Sequence, residues 1–197
     1  MVENKTVDRQ KSWSRGWRQG LTTSRLIIRG LQPGDHAAWR RGYADRQPAS
    51  RAYDRGPAPA KDLTLTRFGH WQSLQKRNGR RDECYVFWLF LPDMSTTVGA
   101  IDISTLQRDN NAWANLGYVI HNQHQRQGYG REALAVLLPF AFEHLGYHRI
   151  EAAIRLDNAP AIALAASAKF KREGVRKKFW LDPDGWADHV IYTALRS

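Results

Sequence analysis

The sequence predicts a single α+β domain: a mostly antiparallel, twisted sheet built around one central βαβ unit, with flanking helices. Three observations predict it. Two pairs of apolar, alternating runs, 84–93 with 96–105 and 175–181 with 187–195, are each joined by a short turn that carries Pro and Asp, which is the pattern of a β-hairpin. A third strand-like run, 112–120, leads through a glycine turn into an amphipathic helix and a further strand at 148–156. The whole order reads β-α-α-β-β-β-α-β-α-β-β, with no internal repeat or low-complexity segment.

The elements follow in chain order. Residues 24–31, SRLIIRGL, alternate and read as the first strand. Asp35 stands where an N-cap would start a short helix, with Ala38 and Tyr43 on its buried side. Residues 46–62 are rich in Pro, Ala and Arg and read as a loop. Leu63, Phe68, Trp71 and Leu74 recur near helical spacing, with Asn78-Gly79 as a stop. The first hairpin turns at Pro92-Asp93-Met94-Ser95. After the strand at 112–120 and the glycine loop, Leu134, Leu137, Leu138, Ala141 and Leu145 fall on one helical face. Pro139 lies inside this helix, where it removes one hydrogen bond and costs about 3 kcal/mol; because the apolar pattern continues beyond it, a kink is expected rather than an end. A short Ala-rich helix follows the strand at 148–156, capped by Asp157 or Asn158 with Pro160 in its first turn. The last hairpin turns around Pro183-Asp184-Gly185.

A chain of 197 residues with a hydrophobic content of 42% suits one soluble globular domain, or one domain with an appendage. The partition expected is a basic N-terminal extension, 1–22, and a domain, 23–197. In the extension Lys5, Arg9, Lys11, Arg15 and Arg18 alternate with Trp13 and Trp17, which suits either a frayed segment or an arm that contacts RNA or the ribosome. No run approaches the roughly 18 apolar residues of a membrane span, and the first twenty residues lack the apolar core of a secretory signal, so a cytoplasmic protein without membrane contact is expected. The single Cys84 excludes an intrachain disulfide, argues against a zinc ribbon and reads as a buried structural thiol. The net charge of +11 favours anionic partners, whether nucleic acid or a phosphorylated cofactor, although the basic residues are dispersed.

The segment HNQHQRQGYGREA, 121–133, carries the chemistry. A glycine turn at a helix start exposes backbone N–H groups and suits a phosphate. A triphosphate P-loop would need Gly-Lys-Ser/Thr, but Gly130 is followed by Arg131-Glu132. A dinucleotide fingerprint is formally present from Gly128 to Ala133, yet seven residues separate it from the strand and only a hairpin follows the next βα unit.

Residues 125–130, QRQGYG, instead resemble the Q/R-x-x-G-x-G/A loop of the GNAT superfamily of acyl-CoA-dependent N-acetyltransferases. The resemblance extends over about 24–195. SRLIIRGLQPGD, LGYVI, HRIEAAIRLDNAPA and the closing hairpin with Trp186, Asp188 and His189 are similar to the subgroup that acetylates ribosomal-protein N-termini, the RimJ/RimL-like enzymes. This implies a GNAT fold with acetyl-CoA as cosubstrate. Tyr118, Val119 and Ile120 would pair by backbone with the pantetheine arm, one N–H polarising the thioester carbonyl. Gln125, Arg126, Gln127, Gly128, Tyr129, Gly130 and Arg131 would hold the pyrophosphate, and Asn158 would contact the pantetheine or the leaving end of the cofactor. The acceptor amine would attack directly in a ternary complex.

The acid/base half departs from the family pattern. The Ser three residues after the Asn is Ala161, the Tyr general acid seven residues after it is Ala165, the Glu beside Leu-Gly-Tyr is Asn115, and the usual Gly-Phe is Lys169-Phe170. Asp102 is then the leading base, with a solvent-facing strand residue as the alternative; His121, Tyr118 and Glu151 are weaker candidates, His121 suiting a loop surface and Glu151 a structural ion pair. Asp188 and His189 read as anchors of the last strand, and Trp180 and Trp186 as either acceptor-groove or core residues. The expected function is N-acetylation of a protein or peptide N-terminal α-amine, of the ribosomal-protein type, by a monomer or homodimer. A small-amine acetyltransferase, or a non-catalytic acyl-CoA- or RNA-binding module, is the alternative.

Overall fold

The computed structural model describes residues 2–50, 54–182 and 185–196. Among them run helices α1 (Val2–Gln19), α2 (His36–Ala44), α3 (Leu65–Arg80), α4 (Tyr129–Glu143) and α5 (Ala159–Ser167). The strands are β1 (Leu21–Thr22), β2 (Ile27–Arg29), β3 (Cys84–Phe90), β4 (Thr97–Gln107), β5 (Trp113–Ile120), β6 (Arg149–Arg155), β7 (Lys171–Asp182) and β8 (Gly185–Leu195). They form one sheet in the order β1-β2-β3-β4-β5-β6-β8-β7. β5 and β6 are parallel and the other neighbours antiparallel, so β5-α4-β6 is the βαβ unit.

Strand alternation sorts the core into two layers. Tyr85, Phe87 and Leu89 of β3 face one side, where α1, α4 and α5 pack. Trp88 and Phe90 face the other, against Ala38 and Trp39 of α2 and Phe68 of α3. Leu134, Leu137, Leu138, Ala141 and Leu145 are all buried, as their spacing predicts, and each buried Leu contributes about 2 kcal/mol. α4 continues across Pro139 to Glu143.

Several local readings change. Of the strand expected at 24–31, Ile27–Arg29 forms β2, and it pairs with a two-residue strand, β1, that precedes it. Asp35 does not cap α2 through its side chain: its carboxylate forms a buried pair with Arg29 at 2.6 and 2.9 Å. α3 ends at Arg80, one residue past the Asn78-Gly79 expected as its stop, and Gly79 also accommodates a ring, since a Cβ there would lie 2.1 Å from Trp13. Trp71 is exposed. Trp13 and Trp17 belong to the main core, so the second half of α1 is docked rather than frayed. Pro183 and Asp184, the expected turn of the last hairpin, lie outside the described residues, and Gly185 opens β8.

One departure from regular pairing positions the site. β5 pairs with β4 along its whole length, through Ile120. With β6 it pairs only at Trp113, Ala114 and Asn115, opposite Arg149, Ile150 and Glu151. β6 then follows β8 as far as Arg155. Beyond Asn115 the two parallel strands therefore separate, and a wedge opens in the sheet.

Candidate active site

The wedge leads into a cavity of about 890 Å³ lined by the end of β5, the loop after it, the first turn of α4 and the start of α5, with Arg46, Asp54 and Arg55 on a further wall. The His121 N–H donates to the Val98 carbonyl at 2.9 Å. With a period of two, the backbone groups of Val119 and Gly117 also face β4, which leaves those of Tyr118 and Ile120 turned toward the wedge. Val119 thus offers the cavity its exposed side chain, and Tyr118 and Ile120 offer it their backbone edges.

The loop is a shaped anion cradle. A single 3-10 turn, Asn122–His124, brings the chain round. Gly128 then takes a left-handed conformation, φ 84°, as N-cap of α4 with no side-chain cap, a φ that most other residues adopt only with strain. The first helical hydrogen bond in this turn is Glu132 N–H to the Gly128 carbonyl. The N–H groups of Tyr129, Gly130 and Arg131 therefore lie at an open helix N-terminus, which favours negative charge. Gly130 serves a different end from Gly128: a Cβ there would lie 2.8 Å from Leu164 Cδ2 and 3.5 Å from Ile120, so its smallness lets α4 pack against α5 and β5.

Glu132, in that first turn, would oppose an anion if left free. Burial works against its charge, but hydrogen bonds from Thr23 and Arg25 outweigh this and hold its carboxyl below the usual range. Arg25 Nη2 pairs with Glu132 at 2.6 Å, Arg25 Nη1 donates to the Gln127 carbonyl at 3.0 Å, and the guanidinium lies 4.8 Å from the Tyr129 ring centre. The residue from the first hairpin thus neutralises Glu132 and braces the loop. Of the loop side chains, Gln125 donates to the Ile120 carbonyl at 3.2 Å, closing the end of β5. Arg126, itself at φ 61°, and Arg131 line the cavity, while Gln127 does not and bonds back to the Gln123 carbonyl.

On the opposite wall the Asn158 side chain accepts the Ala161 N–H at 3.2 Å and caps α5. The Tyr118 hydroxyl, its pKa raised by burial, donates to the Ala161 carbonyl at 2.7 Å, tying β5 to α5 beside the wedge. Ala161 lines the cavity and Ala165 is buried, so neither position presents a polar group.

The proposed bases fall in different places. Asp102 does not line the cavity. It is opposite Gly117 in register, on the sheet face away from α4, and two pairs beyond Asn115, where β5 and β6 separate. Burial pushes its carboxyl up from the ordinary range, opposed by a long contact from Ser104 at 3.4 Å. His121 does line the cavity, but it is 1% exposed rather than a loop-surface residue. Neither ring nitrogen has a hydrogen-bond partner, and burial, then the charges of Arg46 and His124, draw its pKa down to about 3. Glu151 is the structural ion pair expected, held by Arg149 and Arg176. Asp188 anchors the last hairpin through Lys177 Nζ and the Lys178 N–H. His189 is buried beside it, and Trp180 and Trp186 are both exposed. Cys84 is partly buried, with its thiol pKa raised by burial and Ser104 within 3.4 Å. Arg25, Arg46 and the burial of His121 were not legible as site features, because each depends on contacts distant in sequence.

An apolar-walled wedge with a strand edge on one side and a helix N-terminus at one end fits a long thiol arm that ends in phosphates. Residues 25–171 match the family model described as Acetyltransferase (GNAT) domain. The chain belongs to the GNAT acetyltransferase family, whose members use acetyl-CoA. Over 115 residues it is 28% identical to "Probable N-acetyltransferase YjcK" of Bacillus subtilis strain 168, covering 58% of this chain and 64% of that protein. Across the curated relatives it matches, the chain spans about half to two thirds of their length. Among solved structures it is similar to Mycobacterium smegmatis RimJ in complex with CoA-disulfide, with TM-score 0.71 and 24% identity over 86% of this chain and 81% of that one. It is also similar to ribosomal-protein-S5-alanine acetyltransferase from Vibrio fischeri, with TM-score 0.76 and 19% identity over 89% and 95% of the two chains. At these identities the likeness concerns the fold.

Proposed function

We propose that this protein transfers the acetyl group of acetyl-CoA to an amine, with the N-terminal α-amine of a protein or peptide as the acceptor. The carrying observation is the wedge between β5 and β6 ending on the α4 N-terminus. Acetyl-CoA supplies the activated thioester. Residues Gly128 to Arg131 hold its pyrophosphate through backbone N–H groups, assisted by Arg126. The edge of Tyr118 and the N–H of Ile120 align the pantetheine arm, and an N–H of that edge stabilises negative charge on the carbonyl oxygen during attack. Asn158 supports the arm from the α5 side.

The amine nitrogen attacks the thioester carbonyl, the C–S bond breaks, and CoA leaves as a thiolate that takes a proton from water. Asp102, which does not line the cavity, takes up the amine proton through water. A carboxyl whose pKa burial has raised is better matched to that task than an ordinary one. His121, neutral and far below its usual pKa, is a poor base and instead forms a wall of the cavity. The names of the RimJ and ribosomal-protein-alanine relatives favour a ribosomal-protein N-terminus, in the cytoplasm. The net charge of +11 suits a substrate carried near RNA.

The test is a CoA-release assay across N-terminal peptides and small amines, with mass spectrometry of the products. Acetyl on a peptide α-amine supports the reading. Acetyl only on small amines moves the acceptor class. Binding of acetyl-CoA without CoA release from any acceptor removes the catalytic reading and leaves an acyl-CoA-binding module, which Ala161 and Ala165 would suit.

A further inference from the structure

Arg46, just past α2, lines the same cavity and is 7% exposed. Its guanidinium lies 4.2 Å from the Tyr43 ring centre, and its Nε is buried without a hydrogen-bond partner. Tyr43 and the like charge of Arg55 are the groups that act on it, and among the described residues no carboxylate pairs with it. Asp54 lines the same cavity, but its carboxylate accepts Ser50 Oγ at 3.1 Å. A desolvated guanidinium without a counter-charge is expensive to keep. Arg29, the other arginine buried among the described residues, is paired with Asp35.

The position of Arg46 is fixed. The neighbouring Gln47 exchanges two hydrogen bonds with Asn122, both 2.8 Å, and the Tyr43 ring packs 5.1 Å from His121. Arg46 is therefore held at the end of β5, and it arrives from α2, which packs on the sheet face opposite α4 and its phosphate cradle. In the acetyltransferase reading, on which this inference rests, the phosphates of the cofactor occupy the α4 end of the cavity, which leaves the Arg46 wall to the acceptor.

We propose that Arg46 is a specificity-determining residue that receives a carboxylate of the acyl acceptor, so that the preferred acceptor is an amine with an acidic group close by, such as a peptide whose second residue is Asp or Glu. The planar guanidinium fork matches a carboxylate in two parallel hydrogen bonds. Tyr43, packed on its face, holds the fork in orientation.

The test compares matched peptides with Glu or Gln at the second position, by CoA release and by calorimetric binding to the CoA-saturated protein, in the wild type, Arg46→Gln and Arg46→Lys. The wild type prefers the Glu peptide by about tenfold or more, as expected for one charge-assisted contact. Arg46→Gln brings the ratio to about one, and Arg46→Lys, which keeps the charge and loses the fork, lies between. Equal handling of both peptides by the wild type, or binding of neither, overturns the assignment. So does an Arg46→Gln variant whose acceptor ratio is unchanged while its KM for acetyl-CoA rises, which would give Arg46 to a CoA phosphate. If no acceptor releases CoA but the Glu peptide binds in an Arg46-dependent way, the catalytic reading fails and the carboxylate site stands. If CoA is released equally from both peptides, the catalytic reading stands and the carboxylate site fails.

Discussion

The two sides of the cavity are built by different means. On the α4 side the cradle consists of backbone: a left-handed Gly128, an open helix N-terminus and the unpaired edge of β5. On the α2 side the wall consists of side chains, Arg46 and the buried His121, with Tyr43 packed against both, brought together from segments about eighty residues apart. A backbone cradle is dictated by conformation and leaves its mark in a short run of glycines. A side-chain wall is dictated by tertiary packing and leaves no local mark. The first kind suits the invariant part of a cofactor, the second a substrate that differs from one enzyme to the next.

Replacing Gly128 with Val places a β-branched residue at φ 84° and should produce the largest effect. The turn must distort, and acetyl-CoA affinity should fall by at least about a hundredfold, measured by calorimetry. Unchanged affinity would move the phosphate site elsewhere. On the other side of the comparison, Asp102→Asn should lower kcat by about tenfold to a hundredfold while acetyl-CoA affinity holds. The acid limb of the wild-type pH–rate profile, which lies above the ordinary carboxylate range because burial raises this pKa, should vanish in the variant. A lowered melting temperature with the acid limb intact would make Asp102 structural.

His121 sharpens the contrast through pH. Its folded pKa is drawn down to about 3 from 6.5. Below pH 6.5 the unfolded chain binds a proton that the folded state refuses. Its contribution to stability is therefore fully present above that value and is lost as pH falls toward 3, by up to about 1.4 kcal/mol per pH unit. Thermal unfolding between pH 7 and 4.5 should show a fall in Tm that His121→Gln reduces. Equal pH dependence in both proteins would place the titration on other groups. The smallest effect separates the two glycines of the cradle. Gly130→Ala meets the flexible end of Leu164, and should cost about 1 kcal/mol of stability with little change in acetyl-CoA affinity. A loss as large as that of Gly128→Val would mean that Gly130 also shapes the phosphate contact.

The same distinction governs what could be read from the sequence. The βαβ unit, both hairpins and the apolar face of α4 follow from periodicity, and the loop from its glycines and its place between strand and helix. Asn158 was legible because helix caps are local. Asp35 takes the N-cap position expected of it, but its carboxylate is claimed by Arg29, a contact that local pattern does not show; the packing of Gly79 beneath Trp13, one residue before α3 ends, was equally invisible. The separation of β5 from β6 after Asn115 is a property of the sheet, and no residue announces it. The neutralisation of Glu132 by Arg25 joins residues more than a hundred positions apart and was equally invisible.

The most direct test of the backbone cradle is a crystal structure with bound CoA. Pyrophosphate oxygens are expected within hydrogen-bonding distance of N–H groups in the segment from Gly128 to Arg131, with the pantetheine arm against Tyr118 and Ile120 in the wedge beyond Asn115. CoA bound on the α2 side with its phosphates on Arg46 and Arg55, or outside the wedge altogether, would contradict this placement.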